Sequence, residues 1–272
     1  MRIRTTLFTV LAGLALAAAA AGAHAQAREQ ARLLTASAIL KDFRGSRDAA
    51  IPDRLLERAY GIAVIPDMTK LAWFFGGRRG HGVLIVRDRN GRFTSPMFIT
   101  MTGGSFGLQF GVQLTDVVLV FTTPRGIEGI NGGKVTLGAD ASVAAGPVGR
   151  QASAATDAGF KAEVYSYSRS RGAFIGIALD GSAITIDDKA DAAFYQRPGV
   201  LAADIMSGAV RSDDESAQRF LAAVTTSTGS ERQASAAPAG AASGAPSATT
   251  TPGQPAAQSF PLADPHPGSE PK

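Results

Sequence analysis

The sequence predicts an α+β domain with helices at its N-terminal side, a largely antiparallel and curved β-sheet, and helices at its C-terminal side. Three observations lead to this fold class. Apolar residues recur at helical spacing before residue 45, short apolar or alternating runs separated by turn residues follow from residue 60, and helical signals return after residue 186. Strands and helices do not alternate regularly, so a parallel sheet with crossover helices is not expected.

The first predicted helix covers residues 28 to 44, and Gly45 and Ser46 end it. Its apolar stripe is made of Leu33, Ala36, Leu40 and Phe43. Two interpretations of the stripe stay open, a face that packs on the domain and a helix that lies in a membrane interface. A second helix is predicted from Pro52 to about Arg58, because proline is favoured in the first turn.

The sheet is predicted from a series of short runs. Asn90-Gly91 and Asp180-Gly181 are two-residue turn signals, and each predicts a hairpin between the runs that flank it. The segment PRGIEGI allows one helical turn between strands. The predicted strands are GIAVIP, GVLIVRD, RFTSPMFITM, SFGLQFGVQL, DVVLVFTT, KVTLG, ASVAA, FKAEVYSYS, AFIGIAL and SAITID.

Three helices are predicted after the sheet. The first two cover Asp187–Gln196 and Val200–Met206. Ser212 and Glu215 have the spacing of a capping box, which predicts a third helix through about Val224.

The two ends of the chain differ in kind from its middle. Residues 1–25 combine Arg2 and Arg4, an apolar run over Leu7–Ala21 and a small-residue cleavage sequence, which predicts an export signal removed after Ala25; a retained anchor is the alternative. Residues 227–272 consist mostly of Ala, Gly, Ser, Thr, Pro and Gln and are predicted to be a disordered tail. The domain is therefore expected at residues 26–226, in a protein that is periplasmic or secreted, either soluble or held to a membrane only by its own surface.

Composition excludes several classes of function. The chain has no cysteine, which excludes disulfides, thiolate metal sites and an acylated N-terminal cysteine. Removing residues 1–25 leaves 25 basic against 23 acidic side chains, a net charge of +2, which gives no indication of nucleic acid binding.

The sequence indicates no catalytic or metal site and no cofactor. His81 is the only histidine in the predicted domain, and no serine lies in a G-x-S-x-G sequence. Asp187, Asp188 and Asp191 lack the spacing of a calcium loop and are interpreted as caps of the helix that begins there. The glycine-rich segments GGRRGHG and GGSFGLQFG do not match phosphate-binding loops.

Basic residues are concentrated in two segments. Residues 67–92 carry a net charge of +4 and include Trp73 within the sequence LAWFF, followed by Arg78 and Arg79 in a loop kept slim by glycines. Aromatic rings beside arginines are favoured at membrane interfaces. A core position for the aromatic residues and a solvated role for the arginines are the alternatives. The second group consists of Lys134, Arg150, Lys161, Arg169 and Arg171.

Several glycine-containing segments resemble the SYLF domain family over about residues 31 to 196. The segments are Gly61–Pro66, Gly76–Gly82, Gly104–Gly107, Lys134–Arg150 and Tyr165–Gly172. The family consists of lipid-binding modules, eukaryotic members recognise phosphoinositides, and some fungal members bind actin. The chain departs from the family pattern at Arg79 and Phe93, where an aromatic residue and a tryptophan are usual.

The resemblance and the basic segments together predict non-catalytic binding of an anionic phospholipid or membrane surface. The predicted lipid-binding residues are Trp73, Arg78, Arg79, Lys134, Arg150, Lys161, Arg169 and Arg171. No nucleic acid partner is expected, and a protein partner is left unspecified. The alternatives are a structural or protein-interaction module of the cell envelope and a carrier of a small apolar ligand.

Overall fold

The computed structural model describes residues 2–45, 51–72, 75–106, 111–146, 161–170, 173–175 and 179–229. In these ranges the helices are α1 (Arg2–Gly45), α2 (Asp53–Glu57), α3 (Arg125–Asn131), α4 (Asp188–Phe194), α5 (Ala202–Met206) and α6 (Glu215–Thr228). The strands are β1 (Gly61–Ala72), β2 (Phe75–Val86), β3 (Met97–Phe106), β4 (Gly111–Phe121), β5 (Lys134–Thr136), β6 (Val143–Ala145), β7 (Val164–Ser170), β8 (Ala173–Ile175) and β9 (Ala183–Ile186). The element order confirms the predicted α+β class.

The described strands form one curled sheet in the order β5-β9-β3-β2-β1-β4-β7-β6, with β8 paired to β7. The β6–β7 pair is parallel, and the other pairs are antiparallel. The longest strands, β1 to β4, lie side by side in the middle of the sheet. The largely antiparallel sheet that the turn signals predicted is therefore present.

Side chains bury both faces of the central strands, because successive residues of a strand point to opposite sides. Ile62 and Val64 of β1 pack on one face with residues of α1, α2, α4 and α6, and we call this the helix face. Ala63 and Ile65 pack on the other face, the second face, with residues of α3 and α5. Two apolar clusters, one on each side of the sheet, thus form the core.

Helix α1 packs on the helix face through the predicted stripe. Its four stripe residues, Leu33, Ala36, Leu40 and Phe43, are all buried, whereas Lys41 and Asp42 are exposed. Of the two interpretations of the stripe, packing on the domain is the one that the structure supports. Among the described residues no helix is both long enough and apolar enough to cross a bilayer.

The turn at Asp180-Gly181 does not join a hairpin, and that prediction is wrong. A tight turn is present, because Gly181 has a φ of +73° and the Ser182 N–H donates to the Leu179 oxygen at 2.9 Å. However, β8 pairs with β7, whereas β9 pairs with β3 and β5. The turn sets the local direction of the chain, but contacts distant in sequence select the strand partners.

The Asn90-Gly91 prediction is confirmed, since β2 and β3 are antiparallel neighbours. Asp88 organises their connection by accepting hydrogen bonds from the N–H groups of Asn90 and Arg92 at 2.8 and 2.9 Å. The segment GGRRGHG, interpreted as a loop, lies instead within β2. The runs SFGLQFGVQL and DVVLVFTT do not form separate strands, because β4 takes in the end of the first and most of the second.

The C-terminal helices are present, with two differences in their ends. Asp214 caps α6 by accepting from the Ser216 N–H at 2.9 Å, whereas Ser212 accepts from the Asp214 N–H, so the predicted capping box is wrong. An aspartate adjacent to the helix reaches the first N–H groups more directly. The helix continues to Thr228, past the predicted end. The rest of the predicted tail lies outside the described residues.

Candidate functional site

The ends of β1 to β4 that lie farthest from Gly61 carry the first group of predicted residues. Directly paired residues of antiparallel strands lie on the same face of a sheet. Lys70 of β1 pairs with Arg78 of β2, and Arg78 pairs with Gly103 of β3. This row lies on the second face. Arg78 and the second-face core residue Leu84 are an even number of residues apart in β2, and so are Gly103 and Met101 in β3. We call this end of the sheet the basic end.

Arg79 points to the opposite face from Arg78. It pairs with Thr69 and Thr102 in a row on the helix face, and it is exposed. Adjacent arginines that look like one patch in the sequence therefore project from the two sides of the same strand. The basic end carries cations on both faces.

Arg78 is half-buried and lies across the neighbouring strand. Its Nε and Nη2 donate to the Gly104 oxygen at 3.4 and 3.0 Å. Burial lowers the pKa of Arg78, and the nearby carboxylate of Asp180 partly offsets that effect. Lys70, directly opposite in β1, is also partly buried. Two like charges therefore face each other on neighbouring strands.

Gly103 allows the Ser182 side chain and the Arg78 guanidinium to lie close to the backbone of β3. A Cβ atom at Gly103 would lie 2.5 Å from Ser182 Oγ and 3.2 Å from Arg78 Nε. Ser182 is fully buried, and its hydroxyl has no hydrogen-bond partner among the described residues. The Ser182 backbone is fixed on both sides, since its N–H donates to Leu179 and its oxygen accepts from the Leu137 N–H. Sequence reasoning missed Gly103 and Ser182 as site residues.

The described members of the second basic group lie in β5, just before β7 and in β7. Lys134 in β5 and Lys161, which precedes β7, are exposed. Arg169 in β7 forms ion pairs with Asp42 of α1 at 2.8 Å and with Asp116 of β4 at 2.9 Å. The bond to Asp42 raises the pKa of Arg169, and Asp116 adds to the increase. Arg169 therefore connects α1 to the sheet.

Other predicted residues lie outside the described ranges, namely Trp73, Arg150 and Arg171. Two further arginines of residues 67–92 are engaged within the domain. Arg87 lies 4.2 Å from the Phe93 ring centroid and donates to the Ala59 oxygen at 2.8 Å, and Arg92 lies 3.9 Å from Asp88. The described cations therefore do not form one continuous flank, and Lys70, Arg78 and Arg79 are the set that the basic end brings together.

His81 lies near a hydroxyl and a carboxylate, but the arrangement differs from a proton relay. Its Nδ1 is 3.0 Å from Thr100 Oγ1 and 3.3 Å from Asp187 Oδ2. A relay requires the two groups on different ring nitrogens, so that the acid orients the ring and the other nitrogen takes the proton. In the described ranges no three His, Asp or Glu side chains converge as metal ligands.

A group of buried ionisable side chains lies between α1 and α4, and the sequence interpretation missed it. Asp191 is 1% exposed and Glu29 is 0% exposed. Asp191 Oδ1 accepts from the Phe98 N–H at 2.9 Å, and burial raises the pKa of Asp191 to about 8. Glu29 forms an ion pair with Arg32, whose guanidinium lies 5.7 Å from the Phe98 ring centroid. Asp187 caps the helix as predicted, because it accepts from the Ala190 N–H at 3.2 Å. Asp191, which was also interpreted as a cap, is a core residue instead.

The position of Glu29 on α1 offered a signal for this group. Glu29 precedes Leu33 by four residues, so it lies on the buried stripe and not on the solvent side. Asp191 follows the buried Ala190 and precedes the buried Phe194 by three residues. An acidic residue at an apolar position of a helical pattern therefore predicts burial. Glu29 is recognised in this way only when the apolar stripe of α1 is extended by one turn before Leu33.

Comparisons with known proteins find similar sequences in eukaryotes. A family model described as Las17-binding protein actin regulator (Ysc84) matches residues 102–227. The chain is 39% identical over 167 residues to LAS seventeen-binding protein 3 of Saccharomyces cerevisiae (strain ATCC 204508 / S288c), which covers 60% of this chain and 36% of that protein. It is 32% identical over 181 residues to SH3 domain-containing YSC84-like protein 1 of Xenopus laevis, and the match covers 64% of this chain and 54% of that protein. The chain thus matches between about a third and about half of the length of these relatives.

Proposed function

Because this chain belongs to the SYLF family, whose model carries the name Ysc84, we propose that its domain is a non-catalytic binding module for an anionic membrane surface. The observation that carries the proposal is the basic end, where Lys70 and Arg78 pair on one face of neighbouring long strands and Arg79 lies on the other face. In a protein exported by the predicted signal, the ligand would be an anionic phospholipid of the cell envelope. The protein would then be periplasmic or secreted and peripheral on the membrane.

The opposite directions of Arg78 and Arg79 favour an edge-on approach to the membrane. A sheet lying flat would present only one of the two arginines to the lipid. When the strand ends point at the surface, the cations of both faces reach the headgroup level together. Each base near an anionic surface contributes about 1 kcal/mol, so these three supply about 3 kcal/mol, which salt would weaken.

Vesicle flotation tests this proposal. We expect the protein to float with phosphatidylcholine vesicles that contain phosphatidylglycerol and not with phosphatidylcholine alone, and to bind more weakly at physiological salt than at low salt. Arg78→Glu combined with Arg79→Glu should abolish flotation while the circular dichroism spectrum is retained.

The matched control reverses two exposed arginines elsewhere. Arg54 and Arg58 lie in and just after α2, before β1 begins, at the opposite end of β1 from the basic end. Arg54→Glu combined with Arg58→Glu changes the net charge by the same amount and should leave most binding intact. Equal and negligible binding of the wild type to neutral and anionic vesicles would contradict the proposal.

A second candidate function, binding of a protein partner, is favoured by the name LAS seventeen-binding protein 3 of the yeast relative. Truncation after Gly229 separates the two candidates, because it removes residues 230–272, nearly all of the predicted tail, and keeps α6 whole. Membrane binding through the basic end predicts flotation that the truncation does not change. The remaining alternative, an apolar ligand inside the sheet, has less support, since side chains fill both faces of the described strands.

A further inference from the structure

We propose that Lys70, Arg78, Gly103 and Ser182 form a cradle for one phosphate group on the second face of the basic end. The inference rests on the proposed function, because it assigns the phosphate of a bound lipid headgroup to named residues. The cradle spans the row that runs from β1 through β2 and β3 to the residue before β9. Four features of this row indicate an oxyanion.

The first feature is the pairing of two cations across strands. Side chains directly opposite each other in an antiparallel pair have Cβ atoms about 5 Å apart, and like charges in these positions are destabilising. Lys70 and Arg78 occupy such positions, and both are partly buried, which weakens solvent screening. An anion between them would convert a repulsion into two attractions.

The second feature is the irregularity that creates the pair. The β1–β2 register shifts by one residue between Val64 and Thr69. With the earlier register continued, Lys70 would lie opposite Gly77, and Arg78 would lie opposite Thr69. Bulges commonly re-aim side chains near binding sites. Here the bulge turns an unremarkable pairing into a juxtaposition of two positive charges.

The third feature is the close approach of Ser182 and Arg78 to Gly103. An alanine there would bring its Cβ to 2.5 Å from Ser182 Oγ, whereas the neighbouring Gly104 has nothing within 4 Å of its Cβ position. A glycine is therefore required at position 103 but not at position 104. The missing side chain lets the Ser182 hydroxyl and the Arg78 guanidinium both approach the strand closely at this point.

The fourth feature is the hydroxyl of Ser182. A buried hydroxyl without a hydrogen bond costs about 1–3 kcal/mol, so natural domains rarely keep one without a role. Ser182 Oγ and Arg78 Nε lie 2.5 and 3.2 Å from the same point, the Cβ position of Gly103, so the two donor groups are close to each other. When a phosphate oxygen enters, the Arg78 guanidinium would turn away from the Gly104 oxygen. The phosphate oxygen would then accept hydrogen bonds from the Ser182 hydroxyl, the Arg78 guanidinium and the Lys70 ammonium.

Asp180 provides a test in which a substitution should strengthen anion binding. Its carboxylate lies near enough to Arg78 to raise the pKa of that guanidinium, so it competes with an incoming anion. Counted over the described residues, Lys70 and Arg78 against Asp180 give a charge of +1, which suits a phosphodiester with a single negative charge. Asp180→Asn should therefore strengthen binding, whereas losses at the other positions should weaken it.

The experiment compares variants by flotation on phosphatidylglycerol-containing vesicles and by calorimetric titration with inorganic phosphate, which distinguishes a lipid headgroup from a small anion. We expect Arg78→Gln, Gly103→Ala and Ser182→Ala each to weaken vesicle binding about tenfold, the usual size of one charge-assisted hydrogen bond. Gly104→Ala is the matched control and should bind as the wild type does. Urea unfolding accompanies each variant, and Ser182→Ala should unfold no earlier than the wild type.

The outcomes separate this inference from the proposed function. Wild-type flotation with unchanged binding by Gly103→Ala and Ser182→Ala would overturn the cradle and leave the membrane proposal standing. Phosphate binding that Gly103→Ala removes, without any flotation, would support the cradle and overturn the membrane proposal. Absence of both vesicle and phosphate binding by the wild type would overturn both. Weaker binding by Asp180→Asn would also contradict the cradle.

Discussion

Asp191 is the side chain whose ionisation should matter most for the stability of this domain. Burial, reinforced by the carboxylates of Asp188, Asp187 and Glu29, raises its pKa to about 8 in the folded protein. In an unfolded chain the pKa of aspartate is about 3.9. The folded protein therefore keeps a proton that the unfolded chain releases. Stability from this group is fully present below about pH 4 and is lost as the pH rises toward 8.

Asp191→Asn should remove this loss, because asparagine keeps the acceptor for the Phe98 N–H and cannot ionise. At pH 7 the medium lies about 3 pH units above the unfolded pKa, and each unit corresponds to 1.36 kcal/mol. We therefore expect the substitution to raise the free energy of unfolding at pH 7 by up to about 4 kcal/mol and to change it little near pH 4.

Urea unfolding followed by circular dichroism between about pH 4 and pH 8 measures this difference. Glu57→Gln is the control, because Glu57 is an exposed acid of α2 and does not contribute to the raised pKa of Asp191. Its difference from the wild type should stay small across the range. A constant difference between Asp191→Asn and the wild type from acid to neutral pH would refute the reasoning, since a pKa shift must make the difference grow with pH.

Two further substitutions test the packing around the sheet. Arg169→Gln leaves Asp42 and Asp116 without their cation and should lower the free energy of unfolding by about 1–2 kcal/mol, with flotation unchanged. Full stability with lost flotation would instead support Arg169 as a lipid contact. Gly146→Ala would place a Cβ 2.2 Å from the Tyr167 ring and should cost about 1–3 kcal/mol in urea unfolding, whereas Gly77→Ala, with nothing within 4 Å, should cost less. Equal unfolding midpoints for these two would contradict the described contact.

Local patterns in the sequence predicted the helices and most strands, because each pattern reports which side of an element is buried. The α1 stripe and the antiparallel pair around Asn90-Gly91 were found in this way. Asp180-Gly181 failed as a hairpin because a turn carries no information about which strand lies beside β9. Ser212 failed as a cap because Asp214, two residues on, competes for the same N–H groups.

The candidate site was harder to predict, because its parts lie far apart in sequence. Interpreting GGRRGHG as a loop joined Arg78 and Arg79 into one patch, although the alternation of a strand separates them. Gly80 and Gly82 in this segment have a packing role, since Cβ atoms there would lie 2.5 Å from Ile65 Cγ2 and from the Val64 oxygen. Nothing in the sequence brings Ser182 near Gly103. Only the β3–β9 register does so.

The bulge in β1 connects the basic end to the packing of α1. Asp67 lies between the two registers with a φ of +46°, a conformation that aspartate tolerates better than most residues, and its N–H donates to Asp116 Oδ1 at 3.1 Å. The other oxygen of Asp116 binds Arg169, which also binds Asp42 of α1. One carboxylate thus holds both the bulge that aligns Lys70 with Arg78 and the arginine that ties down α1. Gly80 and Gly82 face the core from the same side of β2 as Arg78, so the packing of the core fixes the side to which Arg78 points. The arrangement of the Lys70–Arg78 pair therefore depends on the core and, through Asp116 and Arg169, on the position of α1.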